Sequence, residues 1–220
     1  MQLYEKLLQF NLFYGMGHDD LEDIVTHTKF DFFKVLTDQW VAREGNACDR
    51  LLLMTSGTVD AITEADDHGY RIHETLTAPL AIQPEHLYGL IQRYHTSFRA
   101  LTDCNIIAIG KADFARMCEQ FNVFRINYLN LLSTMTQRAS ARAFRKNAGS
   151  DSQRIVNFIA SRCLYPAGQK TIEILMERLA LELNCSRRDV SDALGQLRKT
   201  GTLHTRRGKI IVPSLEKLHV

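Results

Sequence analysis

Residues 176–201 read MERLALELNCSRRDVSDALGQLRKTG, and the fold of the C-terminal part turns on this stretch. Leu179 and Leu183, with Leu175 upstream, make one stripe of a helix predicted over roughly Thr171 to Asn184. Val190, Leu194 and Leu197 give a second helix its inward face, from a capping position at Ser186 to an end near Gly201. Only Leu183-Asn184-Cys185 joins them. Asn184 tolerates left-handed backbone angles, and Ala180 is small enough to let the second helix cross the first closely. The geometry is that of a helix-turn-helix. The outer face of the second helix presents Arg187, Arg188, Ser191 and Asp192. A helix N-terminus entering a major groove offers N–H groups to a phosphate, and an arginine there can fork onto guanine O6 and N7. Polar outer faces also occur in ordinary helical domains.

The residues after this helix pair favour DNA. Leu203-His204-Thr205 and Lys209-Ile210-Ile211-Val212 are strand-like segments around Arg206-Arg207-Gly208. They predict a hairpin whose tip places Arg206, Arg207 and Lys209 within reach of flanking phosphates, which is a wing. Charge agrees: residues 1–137 hold 11 Lys/Arg against 18 Asp/Glu, and residues 138–220 hold 16 against 7. An acidic front and a basic back fit a C-terminal part that faces a polyanion.

Upstream, Gly149 and Ser150 mark a boundary, with Asp151 or Ser152 capping a helix through Tyr165. Ile155, Phe158, Ile159 and Cys163 are its apolar face, and Pro166-Ala167-Gly168 stop it. Between Lys111 and Ala143 the steps of three and four run through Phe114, Met117, Phe121, Phe124, Tyr128, Leu131 and Met135. That is a heptad seam in one long helix, or in a short helix running into a long one. So long a stripe needs cover, from the preceding sheet or from a second copy of the helix. Its length favours the second copy, and Phe121, Phe124, Tyr128, Leu131 and Met135 are the expected dimer contacts.

From Phe30 to about Ile109 the runs shorten. FDFF, LLLM, TVDAIT and NIIAIG are separated by turn-prone REGNACD, TSG, EADDHG and TAP, which predicts strands of an antiparallel sheet or barrel. Gly45, Gly57 and Gly69 stand at regular intervals that suit repeated turns. The stretch from Glu85 to Ile91 interrupts the strands with one or two helical turns after Pro84, and either lines a pocket or plugs an end of the sheet. Leu3, Leu7 and Phe10 share a face of an N-terminal helix, and a short second one comes next around Leu21 and Ile24.

Several classes are excluded. No apolar run approaches the length of a membrane span, and the N-terminus lacks the pattern of a signal peptide. Five scattered cysteines, Cys48, Cys104, Cys118, Cys163 and Cys185, fit reduced thiols in cytoplasm and match no metal-site spacing. There is no phosphate-binding glycine loop, no HExxH and no serine or cysteine triad, so no catalytic residue, metal or cofactor is expected. The rival to a DNA-binding protein is a ligand-binding or protein-interaction module whose basic tail contacts protein or another anionic surface.

REGNACDRLLLMTSGTVDA (43–61), RALTDCNIIAIGKADF (99–114), LALELNCSRRDVSDALGQLRKTGTL (179–203) and RRGKIIVPSLEKL (206–218) carry a resemblance over essentially the whole length. In these stretches the chain resembles the cyclic-AMP-receptor/fumarate-nitrate-regulator family of bacterial transcription factors. The resemblance implies an α+β fold: a β-roll sensor domain of cyclic-nucleotide-binding type over 1–120, a dimerisation helix and linker over 121–147, and a winged helix-turn-helix over 148–220. It implies a homodimer on a palindromic operator, in contact with RNA polymerase. Ser186 and Arg187 match the family's phosphate contact and base-reading arginine, and Ser191 matches a serine that oxygen-regulator members use for base reading. Arg188 stands where many members have Glu or a small residue, and Asp192 where an arginine commonly reads a base. Asp192 either accepts a hydrogen bond from cytosine N4 or holds Arg188 through an i,i+4 pair.

The sensor pocket departs further from the family. LAIQPEHLYG (80–89) stands where the family's Phe-Gly-Glu is expected, and Glu85 survives nearby. Tyr94 and His95 occupy the places of the arginine and Ser/Thr that grip a cyclic phosphate, and Arg99 lies outside that clamp. Without the cation a cyclic phosphate loses a bidentate contact, so cyclic AMP is not the expected effector.

Overall fold

The computed structural model describes residues 2–143 and 149–218. The first part runs α1 (Leu3–Leu7), α2 (His18–His27), β1 (Phe30–Val35), β2 (Trp40–Ala42), β3 (Arg50–Ser56), β4 (Thr58–Glu64), β5 (Tyr70–Thr77), β6 (Leu80–Ile82), β7 (Ser97–Ala100), β8 (Cys104–Gly110), α3 (Lys111–Gln120) and α4 (Asn122–Ala143). Then come α5 (Asp151–Arg162), β9 (Lys170–Ile174), α6 (Met176–Leu183), α7 (Arg187–Lys199), β10 (His204–Arg206) and β11 (Lys209–Val212). The architecture is α+β, with antiparallel sheets, a long helix and C-terminal helices of helix-turn-helix type. Two compact units result, Met1–Val59 with Thr77–Ala143, and Asp60–Leu76 with Phe144–Val220. The linker expected within 121–147 lies outside the described residues from position 144 onward. Among the described residues no helix is long and apolar enough to cross a membrane.

In the first unit β8 pairs with β1 on one side and β3 on the other, and β6 closes the order β1-β8-β3-β6. Leu51–Met54 and Ile106–Ile109 are buried without alternation, which explains why these strands read as continuous apolar runs. Between β3 and β4, Gly57 has φ +103°, and a Cβ there would stand 2.6 Å from Cys104 Sγ and 2.7 Å from the Asp103 carbonyl oxygen. Only glycine fits that turn. The helical turns expected between Glu85 and Ile91 shrink to a single tight turn, Pro84–His86, entered through Gln83 in the left-handed region at φ 39°.

Of the two readings of the 111–143 stripe, the short helix running into a long one is found: α3 ends at Phe121 (φ −112°, ψ 100°) and α4 follows. Two residues of the seam, Phe124 and Tyr128, are covered within this chain. Phe124 packs 5.3 Å from Phe114 and 5.1 Å from Phe13, and Tyr128 lies edge-on to Phe114 at 4.8 Å. Tyr128 also donates its hydroxyl to the Pro84 carbonyl at 3.1 Å, and Asn127 donates its amide to the carbonyls of Leu12 and Tyr14. Phe124 and Tyr128 are therefore core residues of their own chain. At these two positions the heptad spacing records packing onto this unit, while Phe121, Leu131 and Met135 stay partly exposed.

The second unit has sheet order β10-β11-β9-β5, with β4 beyond β5. Sequence periodicity expects a helix from Thr171, yet Lys170–Ile174 is a strand. Ile172 and Ile174 alternate into the core, and β9 has a partner on each edge, β11 and β5. Leu175 then opens α6. Helix α5 is capped by Ser150, which accepts from the Gln153 N–H, rather than by Asp151 or Ser152. It stops at Arg162, short of Tyr165. The N–H groups of Leu164 and Tyr165 go instead to the Glu74 carboxylate, at 2.6 and 3.1 Å.

Glu74 also receives Lys170 Nζ at 2.6 Å, and both residues are essentially inaccessible to water. A buried ion pair survives only when its remaining lone pairs are satisfied, and here two backbone donors and an ammonium group share one carboxylate. Ile72 of the same strand joins Ile155, Phe158, Leu179, Val190 and Leu194 in one core. Strand β5 is thus an integral part of the unit that carries the helix-turn-helix.

Removing one partner of this pair leaves a buried charge. Lys170→Met is expected to destabilise the unit by about 3–5 kcal/mol, read from amide-exchange protection of β9 in urea. Glu74→Gln combined with Lys170→Met should regain part of that, because the neutral amide oxygen still accepts from Leu164 or Tyr165 without carrying a charge.

Candidate nucleic-acid interface

The turn between α6 and α7 forms as its sequence predicts. Asn184 sits in the left-handed region (φ 49°, ψ 52°), and the Cys185 N–H closes back onto the Ala180 carbonyl. Ser186 begins α7 with a reciprocal pair of bonds. Its Oγ accepts from the Asp189 N–H at 3.1 Å, and the Asp189 carboxylate accepts from the Ser186 N–H at 3.1 Å. The Ser186 hydroxyl, and after it the Ser186 N–H, hold the Asp189 carboxyl below its usual range. Val190, Ala193, Leu194 and Leu197 bury the inner face, while Arg187, Arg188, Ser191 and Asp192 stand exposed on the outer one.

Two of those groups differ in their engagement. Arg187 pairs with Glu177 of α6 at 3.0 Å, an acid that reading the second helix alone does not reveal. No ion pair joins Arg188 to Asp192 among the described residues, which leaves Asp192 outward-facing on α7.

The expected hairpin is present as β10 and β11, in register His204↔Ile211, Thr205↔Ile210 and Arg206↔Lys209. Gly208 takes φ +70° at its tip, and Arg206 and Arg207 are exposed. Lys209 behaves differently. Its Nζ lies 2.6 Å from Glu173 Oε1 on β9, so its charge is partly answered within the protein. Behind it, His73 of β5 reaches Asp60 Oδ2 through Nδ1 at 2.9 Å and lies 3.7 Å from Glu173 Oε2. The bond to Asp60 raises the His73 value above its usual one, against the opposing effects of burial and Lys209.

The four candidate effector residues differ in their surroundings. Tyr94 is buried, and burial pushes its hydroxyl far up. It is a core group. His95, next along, faces outward and lies 6.4 Å from the His86 ring. Gln83, missed in sequence reading, organises this corner: its Oε1 accepts from the N–H groups of His95 and Thr96 at 3.0 and 3.2 Å. Glu85 Oε2 is buried without a hydrogen-bond partner, and desolvation raises its carboxyl. Arg99 sits apart on β7, paired in register with Trp40 of β2. No group of three or more His, Cys, Asp or Glu is placed to hold a metal among the described residues.

Comparison with known proteins covers both parts of the chain. Residues 33–121 match the model of the cyclic nucleotide-binding domain, and residues 153–220 match that of the Crp-like helix-turn-helix domain. No curated protein matches the chain. Among solved structures, the catabolite activator protein of Thermus thermophilus is 16% identical with a TM-score of 0.50, over 95% of this chain and 96% of that one. The sensor domain of the transcriptional regulator DNR from Pseudomonas aeruginosa is 14% identical at TM-score 0.52, over 66% of this chain and 94% of its own. The N-terminal domain of a transcriptional regulator from Streptomyces coelicolor A3(2) is 17% identical at 0.51, over 66% and 99%. At such identities the likeness is one of fold.

The His73 contact has a pH signature. A histidine whose folded value is raised adds stability that is fully present below the ordinary value of about 6.5 and is lost as pH rises through the elevated one. Amide protection at β9 and β11 should therefore weaken on passing upward through neutrality. His73→Gln should flatten that dependence.

Proposed function

The chain belongs to the cyclic-AMP-receptor/fumarate-nitrate-regulator family of DNA-binding transcription regulators, and on that premise we propose that it reads a two-fold-symmetric operator as a homodimer, under control of an effector other than cyclic AMP. A sensor domain of β-roll type is drawn from residues 1–120 apart from 60–76, which lie in the unit of the helix-turn-helix; the dimerisation helix starts after 120, and the DNA-binding domain lies within 148–220. The protein is a cytoplasmic regulator and not an enzyme. Contact with RNA polymerase is assigned by analogy with the family.

The observation that carries this reading is the division of α7 into two faces. Four buried apolar side chains anchor it, and Arg187, Arg188, Ser191 and Asp192 project from its capped N-terminal half. In a major groove, Arg187 reads guanine, Asp192 accepts from cytosine N4, and Ser186 donates to phosphate. Arg206 and Arg207 clamp flanking phosphates from the wing. Lys209 contributes less, because it must first leave Glu173.

The dimer forms through the face of α4 that its own unit leaves open. Val123, Ile126 and Leu129 are 39, 46 and 50% exposed, which is unusual for aliphatic side chains on one helix. Phe121, Leu131 and Met135, each partly exposed, lie on the side of Phe124 and Tyr128, opposite this face. In the sensor, Glu85 offers a buried acceptor and Tyr94 no cation, so the corner suits a ligand that donates hydrogen bonds better than one that presents a phosphate.

The deciding experiment is selection from a randomised operator library with the parent, Arg187→Ala, Arg207→Ala and Lys209→Ala proteins, and then salt titration. Arg187→Ala is expected to cost about 1–3 kcal/mol and to relax one base pair in each half-site. Arg207→Ala should weaken binding to all sequences alike and lower the salt slope by about one per contact, doubled in the dimer. Lys209→Ala should lower it less. A changed base preference with Arg207→Ala alone would reverse the roles of reader and clamp.

Dimerisation is tested separately. Leu129→Asp puts a charge into the open face of α4 and should convert a dimer into a folded monomer at micromolar concentration in sedimentation. A parent protein that sediments as a monomer there would overturn the dimer.

A further inference from the structure

Base reading and phosphate clamping leave the acid beside Arg187 without a role. Glu177 lies in the first turn of α6, and its Oε1 is 3.0 Å from an Arg187 terminal nitrogen. Both side chains are well exposed, at 62% and 69%, so the pair stands in the surface that the helix-turn-helix would present to DNA. The neighbouring acids are committed elsewhere. Asp189 turns back onto the Ser186 N–H. Glu182, the other acid of α6, is shared between Arg162 and Arg178. Glu177 is thus the carboxylate that holds Arg187 among the described residues.

We propose that Glu177 is a specificity-determining residue of DNA reading: it acts as an internal stand-in for a phosphate that keeps Arg187 from binding backbone indiscriminately. This rests on the assignment of Arg187 as the base reader. An arginine free in solution gains from any phosphate it meets, since counterion release rewards the contact whatever the base. An arginine already paired with a carboxylate gains much less, because it exchanges one anion for another. A guanine edge is different. It offers two acceptors in the plane of the guanidinium fork, and a terminal nitrogen can keep Glu177 while the others reach O6 and N7. The carboxylate also repels nearby phosphates in every register. The pair is an exposed one, so it adds little to folding. Its effect falls on the contrast between correct and random DNA.

The bland account is that Glu177 only complements the positive end of α6. The two accounts separate in a double-mutant cycle on the full-length protein: parent, Glu177→Gln, Arg187→Ala and the double variant, each titrated with the selected operator and with random-sequence duplex. Glutamine keeps the size and removes the charge. Glu177→Gln is expected to tighten random-duplex binding by about five- to tenfold at 0.1 M salt and to steepen its salt slope by about one per protomer. Operator affinity should move less, so the ratio of operator to random binding falls. In the Arg187→Ala background the same substitution should change random binding by no more than about twofold, since the group through which it acts is gone.

Equal tightening with and without Arg187 would show a general charge effect and overturn the proposal, as would an unchanged ratio of operator to random binding in Glu177→Gln. A parent that selects an operator while Glu177→Gln behaves identically removes only Glu177 from the scheme. A parent that binds no DNA removes the assignment of Arg187 and this inference together. Unchanged circular dichroism of Glu177→Gln confirms that a difference in binding is not a difference in folding.

Discussion

Two charges buried together at Glu74 and Lys170 constrain the C-terminal unit more than any other contact. A carboxylate out of water has to be met on every lone pair, and Glu74 achieves this only where β5 lies beside β9 and the chain turns after α5. That fixes the placement of β9, and β11 and β10 are laid down on its other edge. The wing that carries Arg206 and Arg207 is therefore positioned by an ion pair at the opposite side of the same strand. Apolar contact alone is non-directional and would tolerate a shift of β5 along β9. The charges do not.

The same unit answers only part of its basic surface. Lys209 is paired with Glu173 and Arg187 with Glu177. Arg206 and Arg207 have no ion pair among the described residues. Cations paired internally must gain more than a counterion before they change partner. Unpaired ones supply attraction without discrimination. Net charge describes only the second kind.

Helix α4 carries apolar residues on two faces, and the two have different partners. Phe124 and Tyr128 fill the core of their own unit, where Phe13 and Phe114 pack against them. Val123, Ile126 and Leu129 remain in water in the single chain. Aromatic groups, with a large area to bury, occupy the intramolecular face, and the smaller aliphatic groups stand on the exposed one. A helix of this kind reads as one seam when only the strongest hydrophobic positions are followed.

Local chemistry was legible from residues alone. The left-handed turn at Asn184, the cap at Ser186, the inward stripe of α7 and the hairpin about Gly208 each depend on side chains within a few positions of one another. So does the short-strand character of residues 30–110. The heptad stripe already suggested a second copy, and family likeness added the operator, which periodicity does not contain. Tertiary structure decided what long-range partners decide. Lys170–Ile174 became a strand because β5 and β11 supplied both its edges, although its neighbours carry a helical stripe. Burial alternates from Tyr94 through Thr96 into Phe98 of β7, so Tyr94 turned inward and His95 outward. Arg187 gained Glu177 only when α6 and α7 crossed. A sequence pattern encodes which face of an element is buried; it does not encode which other element, or which charge, meets that face, because the partner is brought there by the folding of the whole unit.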